Sequence, residues 1–155
     1  MKSRRGNFTI ITLSTVIILA ISLTGCSNDT NALKDGYYTA EDSVGIKGWY
    51  EFVTIYVKNG AVVSVEYNAK NSSGFIKAWD MSYMRQMNEA QGTYPNEYTR
   101  SYVADFLKTQ SIDDIDAISG ATHSYHTFIE LVDAALKKAK TGDRTVALVD
   151  VEHQE

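Results

Sequence analysis

The spacing of apolar side chains changes once along this chain, near residue 74, and that change limits what the chain can fold into. Before it, apolar residues alternate. From Trp49 to Val57, one face holds Trp49, Val53, Ile55 and Val57 and the other Tyr50, Phe52 and Tyr56, the period of two expected of a strand. Lys58-Asn59-Gly60 then supplies a hairpin turn, because Asn-Gly accepts the positive φ angles of a tight reversal, and Ala61 to Tyr67 is the return strand. Gly36 to Glu41 is an earlier strand candidate.

After the polar break Asn71-Ser72-Ser73-Gly74 the spacing becomes three and four. Trp79, Tyr83, Met84, Met87 and Ala90 predict one helical stripe, stopped by Gly92. A second helix follows the sole proline, Pro95, with Tyr98, Tyr102, Val103, Phe106 and Leu107 as its apolar positions. Phe128, Leu131, Val132, Ala135, Leu136 and Ala139 predict a third, with Lys137, Lys138 and Lys140 at its negative end and Gly142 closing it. Thr145 to Val151 reads either as an added edge strand or as an apolar tail. With no regular βαβ alternation, the expected fold class is α+β: a small antiparallel sheet with a β-hairpin, packed against about three helices.

The first residues stand apart from that fold. Lys2, Arg4 and Arg5 precede an uncharged apolar run from Phe8 to Leu23, the layout of an export signal. The run ends in Leu23-Thr24-Gly25-Cys26, a tetrad that resembles the bacterial lipobox, where cleavage precedes a lipid-bearing cysteine. The alternative is an uncleaved membrane anchor, for which the run is short. The expected organisation is a signal peptide over 1–25, a lipidated Cys26 and polar tether over 26–34, a domain over 35–142 and a tail over 143–155. Cys26 is the only cysteine, so neither a disulfide framework nor a thiolate metal site is available to the domain.

Without residues 1–25 the chain has 12 basic against 19 acidic residues, a net charge of −7. Such a domain repels phosphate backbones, so nucleic acid is not expected as a partner, and attachment to a lipid membrane rests on the acyl chains of Cys26.

Chemistry concentrates in Asp113-Asp-Ile-Asp-Ala-Ile-Ser-Gly-Ala-Thr-His-Ser-Tyr-His126, where a short apolar strand is expected to run through Ser119-Gly120-Ala121-Thr122 into the third helix. The first amides of a helix have no partner within it and point outward at the positive end of its dipole, which suits an anion. Gly120 and Ala121 would leave room for a ligand, with the Thr122 hydroxyl at the cap. The plainer alternative is that Thr122 only caps the helix and Gly120 only makes a turn. His123, His126 and Glu130 share a helix face and form a rival metal site. A hydrolase built on Ser119 or Thr122 lacks any Gly-x-Ser-x-Gly elbow.

Asp116-Ala117-Ile118-Ser119-Gly120-Ala121-Thr122 resembles the Asp-x-x-Ser/Thr-Gly-Ala-Thr signature of FMN-binding domains. These occur in the C subunit of the sodium-pumping NADH:quinone oxidoreductase, the G subunit of the Rnf complex and lipoproteins of extracellular electron transfer. The similarity runs from Asp35 to about Lys140, through Asp35-Gly36-Tyr37-Tyr38, the Asn59-Gly60 hairpin, and Lys77, Asp80, Tyr83 and Met87. It implies a phosphoester between FMN and Thr122, made by a magnesium-dependent flavin transferase from FAD. Asp116, Ser119, Gly120 and Ala121 would shape the loop or be read by the transferase. Ser124 would be a further phosphate donor, and Tyr125 stands where small residues are common in the family. Trp79 or Tyr83 would stack on the ring. The resemblance thus implies an extracytoplasmic electron carrier, not an enzyme by itself, between a membrane-bound quinol or NADH-linked donor and an external acceptor. The alternative is a non-redox ligand- or metal-binding surface lipoprotein.

Overall fold

The computed structural model describes residues 32–152. The basic head, the apolar run and Cys26 lie outside the described residues, as does the chain beyond Glu152. Among the described residues no helix is long and apolar enough to cross a membrane.

The alternating segments form an antiparallel meander of β1 (Gly36–Asp42), β2 (Tyr50–Lys58) and β3 (Ala61–Lys70). Asn59 and Gly60, at φ 53° and 77°, make the hairpin turn that their sequence predicts. A short fourth strand, β4 (Ala147–Val149), joins the other side of β1, giving the order β3-β2-β1-β4. It runs parallel to β1, so the sheet is mixed and the antiparallel expectation holds only for its first three strands. Parallel neighbours need a crossover, which the long helix α3 (Thr122–Thr141) provides before the chain returns to the sheet.

One face of the sheet carries Tyr38, Ala40, Val53, Ile55, Val57 and Tyr67 into the core. The other face is solvated, with Tyr37 stacked on Tyr56 at 4.4 Å and the Thr39 and Thr54 hydroxyls 2.9 Å apart. Helix α2 (Pro95–Thr109) packs on β3, and α3 on β1 and β2. Phe128 of α3 sits at the centre, its ring 4.8 Å from Tyr67, 5.8 Å from Tyr102 and 6.5 Å from Phe106. Two inward positions break the apolar pattern: Asp42 and Glu51 are both buried.

Two expectations need correction. The first predicted helix does not include Trp79. Lys77–Trp79 is a 3₁₀ turn, and the Asp80 carboxylate accepts the Tyr83 amide at 2.9 Å, starting α1 (Met81–Gln91) afresh. Trp79 is therefore 66 % exposed and Ala90 is also outside the core; Met84 is the buried residue of α1. Nor do the residues ahead of Ser119 form a strand: they make a loop held down by buried Ile115 and half-buried Ile118.

Gly92 and Gly142 end their helices in the left-handed conformation, as predicted. The domain's own contacts begin at Leu33, which packs on the core. Lys34 bonds the last turn of α3, its amide donating to the Ala139 carbonyl at 3.0 Å and its Nζ to that of Thr141 at 2.9 Å.

Candidate cofactor-binding site

The signature residues form a tight turn against the core. The Ala121 amide donates to the Ile118 carbonyl at 2.9 Å, with Ser119 and Gly120 between them. Gly120 takes φ +81°, the value that a type II turn places at its third residue and that glycine adopts without strain. A Cβ there would lie 2.7 Å from the Gln91 carbonyl oxygen. The Cβ that Gly120 lacks thus leaves room for the end of α1. Tyr102 clamps the turn from α2: its hydroxyl accepts the Ile118 amide and donates to the Ala121 carbonyl, each at 3.2 Å.

Helix α3 begins immediately after this turn. Ala121 occupies the cap position, no side chain caps the helix, and its first turn holds no acidic residue. Thr122 is the first helical residue and is exposed. Its hydroxyl therefore does not serve as the cap, and the first turn keeps its outward-pointing amides at the positive end of the dipole.

Beside that turn opens a cavity of about 730 Å³, within the roughly 300–1,000 Å³ typical of cofactor sites. Gly120, Ala121, His123 and Ser124 line one side, and Trp49, Glu51, Tyr83, Met87 and Tyr98 line much of the remainder. The Val44–Lys47 loop and Lys77 complete the rim, with the Lys77 ammonium 5.0 Å from the centre of the Tyr83 ring.

The structure separates the sequence-predicted residues into groups. Gly120, Ala121 and Ser124 line the cavity, while Thr122 lies between them in sequence with its side chain exposed. Asp116 and Ser119 are exposed on the approaching loop and outside the cavity lining. Tyr83 lines the cavity, but Trp79 does not. Tyr125 turns to the core, 5.9 Å from Tyr102, so its bulk does not fill the site. His123 lines the cavity, whereas His126 and Glu130 are exposed. Among the described residues no three His, Cys, Asp or Glu side chains are grouped to hold a metal ion.

Glu51 is the residue the sequence reading missed. It is buried on the core side of β2, where Oε1 accepts the Ser124 hydroxyl at 2.8 Å and Oε2 the Tyr67 hydroxyl at 2.5 Å. Burial, then the Glu51 carboxyl, pushes the Tyr67 hydroxyl well above its ordinary range. The same two causes, in the same order, raise Tyr98. Both phenols keep their protons. Since Ser124 spends its hydroxyl hydrogen on Glu51, what it offers a phosphate is its place in the uncapped first turn. The signal for Glu51 was its parity: it shares the odd-numbered face of Val53, Ile55 and Val57.

The family model for the FMN-binding domain matches residues 45–137, which span most of the loop ahead of β2, all of the cavity lining but Asp42 and Val44, and most of α3. The chain belongs to the FMN-binding domain family. This FMN-binding domain is similar to a 15 kDa lipoprotein of Treponema pallidum, 28 % identical over 142 residues that cover 91 % of this chain and 94 % of that protein. It is also similar to a Clostridium perfringens protein of known crystal structure, with a TM-score of 0.73 and 34 % identity, covering 77 % of this chain and 99 % of that one. The residues present suit FMN. An uncapped helix start can take the phosphate, and Trp49, Tyr83 and Tyr98 offer aromatic surface to a flat ring.

Proposed function

We propose that this chain is an extracytoplasmic lipoprotein, anchored through Cys26, that carries FMN bonded from its phosphate to the Thr122 hydroxyl and relays electrons. The donor is a membrane-bound quinol- or NADH-linked system and the acceptor lies outside the membrane. One observation carries the reading: an exposed threonine opens an uncapped helix at the edge of a cofactor-sized cavity, within the segment that matches the family. The export signal, the lipobox-like Leu23-Thr24-Gly25-Cys26 and the similarity to a lipoprotein support the anchor.

A threonine hydroxyl is unreactive at neutral pH, so the ester needs an activating base and metal from a flavin transferase. This chain is that enzyme's substrate: the Thr122 oxygen bonds to the FMN phosphorus of FAD, and AMP leaves. The tether prevents loss of the cofactor to the medium. When bound, the flavin supplies the redox chemistry; the chain fixes its surroundings. Here those are a positive helix end, aromatic walls and a buried carboxyl.

Intact mass tests the proposal on protein matured with the transferase present. The mass should exceed that of the acylated polypeptide by one FMN less one water. Peptide mapping that finds residues 116–126 unmodified overturns the covalent reading. Cys26→Ala should release the flavin-bearing domain into the medium, and complete membrane retention would refute the lipid anchor.

A further inference from the structure

The charge of the domain is unevenly spread. Six of the twelve basic residues beyond position 25 gather where the chain enters the fold: Lys34 ahead of β1, Lys58 at the end of β2, Lys137, Lys138 and Lys140 in the last turns of α3, and Arg144 just past it. Backbone contacts hold these segments side by side. Lys34 Nζ reaches the Thr141 carbonyl, the Arg144 guanidinium donates to the Asp35 carbonyl at 3.3 Å, and Lys58 follows Val57, the partner of Gly36.

Two of the six are neutralised within the domain, Lys137 by Asp133 at 2.6 Å and Lys138 by Asp143 at 2.5 Å. Lys34, Lys58, Lys140 and Arg144 are exposed and in no ion pair among the described residues, with exposed Asp35 the one further acid on these segments. The adjoining end of α2 adds no positive charge, since Lys108 is followed by Asp113 and Asp114. The acidic surplus of the domain therefore lies on the rest of its surface. In about 0.1 M salt a charge acts over about 10 Å, so this end shows a nearby surface its own sign, whatever the net charge of the whole.

The entry point of the chain says which surface that is. Leu33 packs on the core seven residues after Cys26, so a lipid on Cys26 puts the basic end next to the membrane. Phosphate headgroups complement four unpaired cations. The rival face lies about the cavity, where exposed Phe75 and Trp79 stand beside Trp49.

We propose that the basic end rests on the anionic phospholipid headgroups of the membrane that holds Cys26, with Lys34, Lys58, Lys140 and Arg144 meeting the lipid phosphates. The inference rests on the lipid anchor proposed above. The acyl chains keep the protein at the membrane; the charges decide which end faces it. Each basic residue close to an anionic leaflet favours contact by about fivefold.

Lysine labelling of the mature, lipidated protein in vesicles tests this. With an amine-acylating reagent read by mass spectrometry, Lys34, Lys58 and Lys140 should react about tenfold more slowly in vesicles containing phosphatidylglycerol than in pure phosphatidylcholine, the effect of two or three cations in contact. Lys47 and Lys77, at the cavity rim, should react alike in both. Raising the salt from about 0.1 M to about 1 M, which shortens the Debye length to about 3 Å, should restore the rates. Lys58→Gln combined with Lys140→Gln, both at exposed positions, should return most of the reactivity of Lys34. Equal rates in the two kinds of vesicle overturn the proposal, and so does slowing confined to Lys47 and Lys77, which would turn the aromatic face to the membrane. A wild-type protein that floats with neither vesicle instead removes the lipid anchor, and the contact with it.

Discussion

The two ends of α3 are built differently. The C-terminal end is closed by the chain itself: the amides of Gly142 and Asp143 both reach the Lys138 carbonyl, and Lys138 and Lys140 face the negative end of the dipole. Asp143 in turn binds Lys138 Nζ, the Thr145 amide and the Thr145 hydroxyl. The N-terminal end has alanine at the cap position, no acidic residue in its first turn and a cavity beside it. A capping side chain is worth about 1 kcal/mol, and this end forgoes it. Where a helix serves packing alone, its end groups are satisfied from within; an end left open next to a cavity keeps its amides for an anion that arrives later.

The strongest test of that contrast is Thr122→Ala. It should abolish covalent flavin entirely, read by intact mass. It should also leave the stability of the flavin-free protein within about 0.5 kcal/mol, since an exposed residue that caps nothing contributes little; a large loss in denaturant unfolding would mean that Thr122 is structural after all. Gly120→Ala comes next. Its Cβ would meet the Gln91 carbonyl oxygen at 2.7 Å and its φ is +81°, so a loss of about 2–4 kcal/mol is expected from strain and overpacking together. Gly142→Ala should cost only about 1 kcal/mol, because the Cβ would meet the flexible Lys34 side chain, which can move aside. Equal urea midpoints for the two glycine variants would erase the distinction between the ends.

Asp143→Asn should have the smallest effect, and its pH dependence has a definite sign. The Lys138 ammonium first, then the Thr145 amide and hydroxyl, lower the Asp143 carboxyl from 3.8 to about 2. A group lowered on folding stabilises the fold above its unfolded pKa, and that contribution fades as pH falls through the folded value. Wild type should therefore melt slightly above Asp143→Asn at neutral pH, and the gap should close between about pH 4 and pH 2.

Local rules made much of the fold legible. Asn59-Gly60 fixed the hairpin, Pro95 opened α2, and Gly92 and Gly142 closed their helices, each through backbone chemistry that needs no distant partner. The failures are of another kind. Trp79 fits a helical stripe by spacing, yet the Asp80 carboxylate competes for the Tyr83 amide and restarts the helix two residues later. The parallel pairing of β4 with β1 depends on a crossover through α3, which no window of sequence contains. In the candidate site, Ser119 to Thr122 announced the junction, but Glu51 lies 73 residues from its partner Ser124. Its parity on β2 was visible; what a buried carboxyl bonds to was not.

Lys34 fastens the start of the domain to the last turn of α3, whereas the cavity lies at that helix's first turn. Twenty residues of helix separate the two, or about 30 Å. Only seven residue steps join Cys26 to Leu33, a leash that at full stretch spans about 25 Å. Were Cys26 lipidated as proposed, so short a leash would let the domain stand on its closed end with the cavity turned toward the medium. The proposed membrane-bound donor would then have to rise to meet it or catch it lying on its side, while the proposed external acceptor would find the opening facing outward.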